Sequence, residues 1–105
     1  MANVKEIIAL ASSEKIFFED NYYRFRKVDE KNYQIARLVL GKCGDFYYHP
    51  QISLKLVKSM FVATDYFDNF VTPIKTLKRE DDPTFLDQEF QNVLTAFLEA
   101  KNQEE

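Results

Sequence analysis

The chain offers one histidine, His49, and one cysteine, Cys43. A Ser–His–Asp or Cys–His arrangement would therefore have a single base available. Cys43 stands six residues before His49, across Gly44 and an aromatic stretch. His49 reads as a helix N-terminal or loop residue, and Cys43 as a small buried hydrophobe. Asp65 and Asp68 are three residues apart. On a helix they would share a face, where two carboxylates could do acid–base work or hold Mg²⁺. Their flanks, Tyr66, Phe67, Asn69 and Phe70, fit better with the wet face of an amphipathic helix. Glu80-Asp81-Asp82 precedes a helix start, where acids meet the helix dipole favourably. With Gly41 and Gly44 the only glycines, no phosphate-cradling loop exists. One His and one Cys also exclude the zinc-protease and zinc-finger patterns. The expectation is a chain that is not an enzyme and carries no cofactor and no metal.

Two clusters suggest binding instead. Tyr22-Tyr23-Arg24-Phe25-Arg26-Lys27 interleaves three rings with three cations. Stacking rings beside cations are what a single-stranded nucleic-acid platform needs. Glu19, Asp20, Asp29 and Glu30 flank the cluster and cancel its long-range field, which suits a protein-contacting segment whose arginines pack along rings. Phe46-Tyr47-Tyr48 is a run of rings that cannot all face one core, and tyrosine is enriched in interface hot spots. The expected partner-binding residues are Tyr22, Tyr23, Arg24, Arg26, Phe46, Tyr47 and Tyr48.

Such side chains must be carried by a small scaffold. The chain has 105 residues, enough for one domain with a thin core. Ten Phe and six Tyr are more rings than such a core readily encloses. Surplus apolar surface marks interaction sites, a homodimer face among them. The net charge is −3. Residues 1–49 carry eight Lys/Arg against seven Asp/Glu, and residues 50–105 six against ten. No global basic excess of the kind a nucleic-acid binder shows is present. A lone thiol suits a reducing compartment, the start of the chain does not read as a signal peptide, and no run approaches a membrane span. A cytoplasmic protein with no membrane partner is expected. The Asn, Lys and Phe usage fits an AT-rich bacterial or viral genome.

With two Gly and three Pro, turn residues are scarce, which favours helices. Asn3 caps a first helix over 3–18, with Val4, Ile7, Ile8, Ala11 and Phe18 on its stripe. Residues 15–28 read as irregular or helical, or as a short hairpin turning at Asp20-Asn21. Asp29 caps a helix over 30–42, with Tyr33, Ala36, Arg37 and Leu40 in one row. Pro50 opens another over 50–71. Asp82 and Pro83 start the clearest helix, 83–100, with Leu86, Phe90, Val93, Leu94, Phe97 and Leu98 at spacings of three and four. The opening Val4–Ser12 resembles the first helix of the phage anti-sigma factors. That resemblance implies a small all-helical protein that dimerises through this helix and can bind a sigma factor. It covers nine residues and assigns no site residue.

The fold expected is all-α, one domain over 1–105 of four or five helices, with a possible hairpin near 15–28. Its core would comprise Ile7, Ile8, Leu38, Leu56, Met60, Phe61, Phe90, Val93 and Phe97. The function expected is a non-catalytic protein-binding module such as an inhibitor, immunity protein, adaptor or accessory regulator. The alternatives are a nucleic-acid-binding regulator using Arg24, Arg26 and Lys27, and a small enzyme using Asp65 and Asp68, or His49.

Overall fold

Apolar and polar residues alternate through Ile52-Ser53-Leu54-Lys55-Leu56, the period of a strand with one buried face. In the computed structural model, which describes residues 3–103, this segment lies in the longest strand of a six-stranded antiparallel sheet. The elements are α1 (Val4–Ile8), β1 (Ile16–Phe18), β2 (Asn21–Lys27), β3 (Asn32–Leu40), β4 (Phe46–Val57), β5 (Met60–Asp68), β6 (Lys75–Lys78) and α2 (Pro83–Gln103). The all-α bundle is thus corrected to a sheet with one long helix. The expected helices over 30–42 and 50–71 are strands, and the one over 3–18 is five residues of helix. The residues that resemble an anti-sigma first helix therefore lie in no all-helical fold.

The strands follow one another in space as they do in sequence, β1 to β6, so every connection is a hairpin or short loop. Scarcity of glycine misled because two hairpins are closed without it. Glu19 and Asp20 join β1 to β2 at φ 47° and 72°, and Lys58 and Ser59 join β4 to β5 at φ 50° and 64°. Two-residue turns with both central residues at positive φ match the right-handed twist of the strands they connect. The hairpin near 15–28 exists, one residue earlier than Asp20-Asn21. Between β2 and β3, Asp29 caps a loop rather than a helix. Its carboxylate accepts from the amides of Lys31 at 2.9 Å and Asn32 at 3.0 Å, and from the Asn32 side chain. Gly44, at φ 87°, supplies the left-handed position between β3 and β4. Pro50 sits within β4, where the pairing with β3 shifts register opposite Arg37, not at a helix start.

α2 forms as the spacing predicts. The Asp82 carboxylate accepts from the Phe85 amide at 3.1 Å, and Pro83 takes the first helical position. The helix buries Leu86, Phe90, Val93, Leu94, Phe97 and Ala100 against one face of the sheet. Opposite them lie Ile16, Tyr23, Phe25, Tyr33, Ile35, Ile52, Leu54, Ala63 and Tyr66, with Ile7 of α1 at the margin. At the centre Phe25 stacks on Tyr33 at 5.5 Å between ring centroids and meets Phe61 and Phe97. Of the expected core, Ile7, Phe90, Val93 and Phe97 are buried here, and Ile8, Leu56 and Phe61 pack partly against them. Met60 is 66% exposed at a hairpin tip, and Leu38 is buried on the other face of the sheet. No described helix is long and apolar enough to cross a membrane.

Candidate functional site on the uncovered sheet face

Directly paired residues on neighbouring antiparallel strands point to the same side. Tyr23, Phe25, Tyr33, Ile35, Ile52 and Leu54 face α2, so their sequence neighbours face away from it. One row on that far face runs Phe17, Tyr22, Leu38, Tyr48. The next runs Arg24, Ala36, Gln51, Phe67, and the third Arg26, Gln34, Ser53, Asp65, Lys78. α2 contacts this sheet from the other side, and Ala36 and Leu38 belong to no part of the helix-side core. Leu38 is nevertheless 2% exposed, because the larger side chains of its own face roof it over.

Those side chains form a connected surface. Tyr22 meets Phe17 and Phe46 edge to face, each at 5.0 Å, and Lys15 lies over the Phe46 ring at 4.8 Å. Phe17 is 60% exposed, and Leu40, paired to Phe46, is also exposed. This corner is apolar. Beside it, Arg24 donates to the Tyr48 hydroxyl at 3.2 Å, and Tyr48 meets Phe67 edge to face. Arg26 donates from Nε to Gln34 Oε1 at 2.8 Å, and from a terminal nitrogen to the same oxygen. Both guanidiniums are held by neutral acceptors. Among the described residues neither has a carboxylate within ion-pair reach.

The structure thus gathers Tyr22, Arg24, Arg26, Phe46 and Tyr48 on one uncovered face. Tyr23, by contrast, lies on the other side of the sheet, buried in the core under α2. Tyr47 points to the opposite side from Phe46 and Tyr48 and packs on Phe70 at 6.1 Å. Lys15, Phe17, Leu40, Gln34 and Phe67 complete the surface and were missed in the sequence. The signal for this face was period two, seen in Asn21–Lys27, where Tyr22, Arg24 and Arg26 lie on it and Tyr23 and Phe25 between them lie in the core.

Asp65 and Asp68 do not make a paired-carboxylate site. On strand β5 three residues of spacing puts them on opposite faces, Asp65 beside Ser53 and Lys78, Asp68 on the helix side. Asp68 instead meets His49, from β4, with Nδ1 and Oδ2 2.6 Å apart. The carboxylate is 2% exposed, and its other oxygen accepts from the amides of Phe70 at 2.9 Å and Val71 at 3.3 Å. Arg37 donates to the His49 carbonyl at 2.8 Å, and Phe70 packs on the imidazole at 4.9 Å. Tyr66 lies alongside; burial first, and the Asp68 charge second, push its phenol up to about 12. An Asp-held imidazole can act as a base. Here the carboxylate's remaining capacity is spent on the turn after β5, and that turn is what the pair secures. Cys43 is exposed in the β3–β4 loop, not buried as expected. Among the described residues no three His, Cys, Asp or Glu side chains group as metal ligands would.

Comparison with known protein families, with curated proteins and with solved structures finds no match to this chain.

Proposed function

We propose that the protein is a non-catalytic protein-binding domain whose uncovered sheet face is its binding surface. One observation supports this most directly. α2 covers one face of the sheet, while the other carries exposed rings, an exposed leucine and two guanidiniums that have no carboxylate partner among the described residues. The helix-side core is complete on the covered side, and the rings opposite, beyond those that shelter Ala36 and Leu38, leave Phe17, Leu40 and Phe46 exposed. Contiguous apolar surface rimmed by cations is what protein interfaces bury, with tyrosine and arginine as the usual anchors.

The test is capture from a lysate of the cell of origin, with the partner then purified and its binding measured against a face variant. Phe46→Ser with Leu40→Ser should abolish binding while leaving the thermal midpoint close to that of the parent, because both side chains lie outside the core. Binding that survives these substitutions, yet is lost on changing exposed residues of α2, would refute this surface. A second reading, single-stranded nucleic acid, draws on the placement of Lys15 and Arg24 beside Phe46 and Tyr48. It predicts nuclease-sensitive capture that weakens steeply with salt.

A further inference from the structure

The charge of this chain is not spread evenly over its surface. Among the described residues, Arg24, Arg26, Lys55 and Lys78 lie in the rows of the uncovered face with Lys15 over Phe46, against Asp65 in those rows and Asp81 at the β6 margin. The segment that opens and forms α2 carries Glu80, Asp81, Asp82, Asp87, Glu89 and Glu99 against Arg79 and Lys101. A chain of net charge −3 therefore has one cationic side.

We propose that the uncovered face recognises an acidic protein segment in extended conformation, with carboxylates at alternate positions and an apolar side chain beyond them. This rests on the binding-face reading above and names its partner. Arg24 and Arg26 are two residues apart on one strand and point the same way, about 7 Å apart along it. Carboxylates on alternate residues of an extended chain have the same spacing. The guanidiniums are already oriented, Arg24 by the Tyr48 hydroxyl and Arg26 by the Gln34 amide oxygen. Neutral partners fix the geometry without cancelling the charge, and each guanidinium keeps donors for a two-point contact with a carboxylate. Next to the arginines, the corner of Phe17, Tyr22, Leu40 and Phe46 takes an apolar side chain. Its rings are engaged edge to face with each other, and Lys15 occupies a face of Phe46. That leaves a corner suited to aliphatic or aromatic burial more than to a run of stacked bases. The acidic α2 side also opposes a long polyanion that would wrap the domain.

The experiment is an amide-resolved NMR titration of the isotope-labelled full chain. The probes are a capped peptide of alternating Glu and Thr ending in Phe, its Gln counterpart, its Lys counterpart, and a short oligothymidylate. The expected result is that the Glu peptide moves amides of β2 and of Phe46–Tyr48, while the Gln and Lys peptides do so at least about tenfold more weakly. Arg24→Gln with Arg26→Gln should reduce Glu-peptide affinity by at least about tenfold. Removing the same charge at Lys5 and Lys31, away from the face, should leave it within about twofold. Equal binding of the Gln peptide would overturn the inference, as would equal losses in the two double variants. Preferential binding of oligothymidylate at the same amides would also overturn it and would favour the nucleic-acid reading. If no probe moves these amides, the acidic-segment inference falls, and the binding-face reading is decided separately by the Phe46 and Leu40 capture experiment.

Discussion

Replacing Ser59 by glycine, alone and together with Lys58→Asn, should stabilise this protein, and the sign of that change separates a sheet from a helix. Lys58 and Ser59 sit at φ 50° and 64° between paired Val57 and Met60. The left-handed region costs a residue with a Cβ about 1–2 kcal/mol. Glycine avoids that cost but loses about 0.5–1 kcal/mol more backbone entropy on folding. The difference leaves Ser59→Gly stabilising by about 0.5–1 kcal/mol, and Asn, which tolerates this region well, adds to it at position 58. In a domain of this size, that raises the thermal midpoint by about 2–8 °C. Were residues 50–71 a helix, the same glycine would lie in its interior and cost about 0.5 kcal/mol relative to serine. Urea unfolding monitored by far-ultraviolet circular dichroism gives the midpoint, and an unchanged slope shows that the exposed surface on unfolding is the same. A lowered midpoint for both variants would refute the two-residue turn and, with it, the pairing of β4 to β5.

Asp68→Ala should cost about 3–5 kcal/mol, because it strands the amides of Phe70 and Val71 and the His49 ring around a buried site, whereas Asp68→Asn keeps an acceptor for the amides and should cost less. Denaturant midpoints of the two variants check this, and equal, small losses would show that the carboxylate does not secure the turn. Tyr66 should ionise near pH 12, above the ordinary phenol value of about 10, visible as a late step in tyrosinate absorbance that Tyr66→Phe removes. Its folded pKa lies above its unfolded one, so the neutral phenol contributes stability that is fully present below about pH 10. That contribution is lost as pH rises through about 12.

The sequence was most legible where local chemistry and packing agreed. Asp82, Pro83 and the spacing from Leu86 to Phe97 define α2 because a cap, a fixed φ and one apolar stripe all point to the same helix. Asn3 likewise caps α1, its side-chain oxygen accepting from the Glu6 amide at 2.9 Å, but nothing beyond Ile8 sustains the helix. β3 was illegible for a physical reason. It is the strand that buries residues on both faces, Tyr33 and Ile35 under α2 and Ala36 and Leu38 under the rings opposite, and a run apolar on both sides has no clear period. In β5 the register shift at Ala63–Asp65 breaks the alternation just where it would have shown. The candidate cluster was visible as a composition of rings and cations but not as a surface. Reading Tyr22 to Lys27 as one patch mixed core residues with outward ones, and that sorting requires knowing the segment is a strand. The pairing of His49, inside β4, with Asp68, at the end of β5, joins residues nineteen apart in sequence, which no local pattern encodes.

The cover of the core, α2, comes after all six strands of the meander. Everything through β6 can pair by adding each strand to the one before it, through short connections that close quickly. The sheet so made is greasy on both sides: the rings opposite are there in the native protein, but Tyr23, Phe25, Ile35, Ile52 and Leu54 have no shelter until Pro83–Gln103 lies across them. A chain shortened before Pro83 would expose apolar side chains on both faces of the sheet, with short edge strands offering little further pairing. α2 therefore decides which side of the sheet is sheltered, and a nick in the β6–α2 link that freed the helix would expose the core face as well as the face opposite.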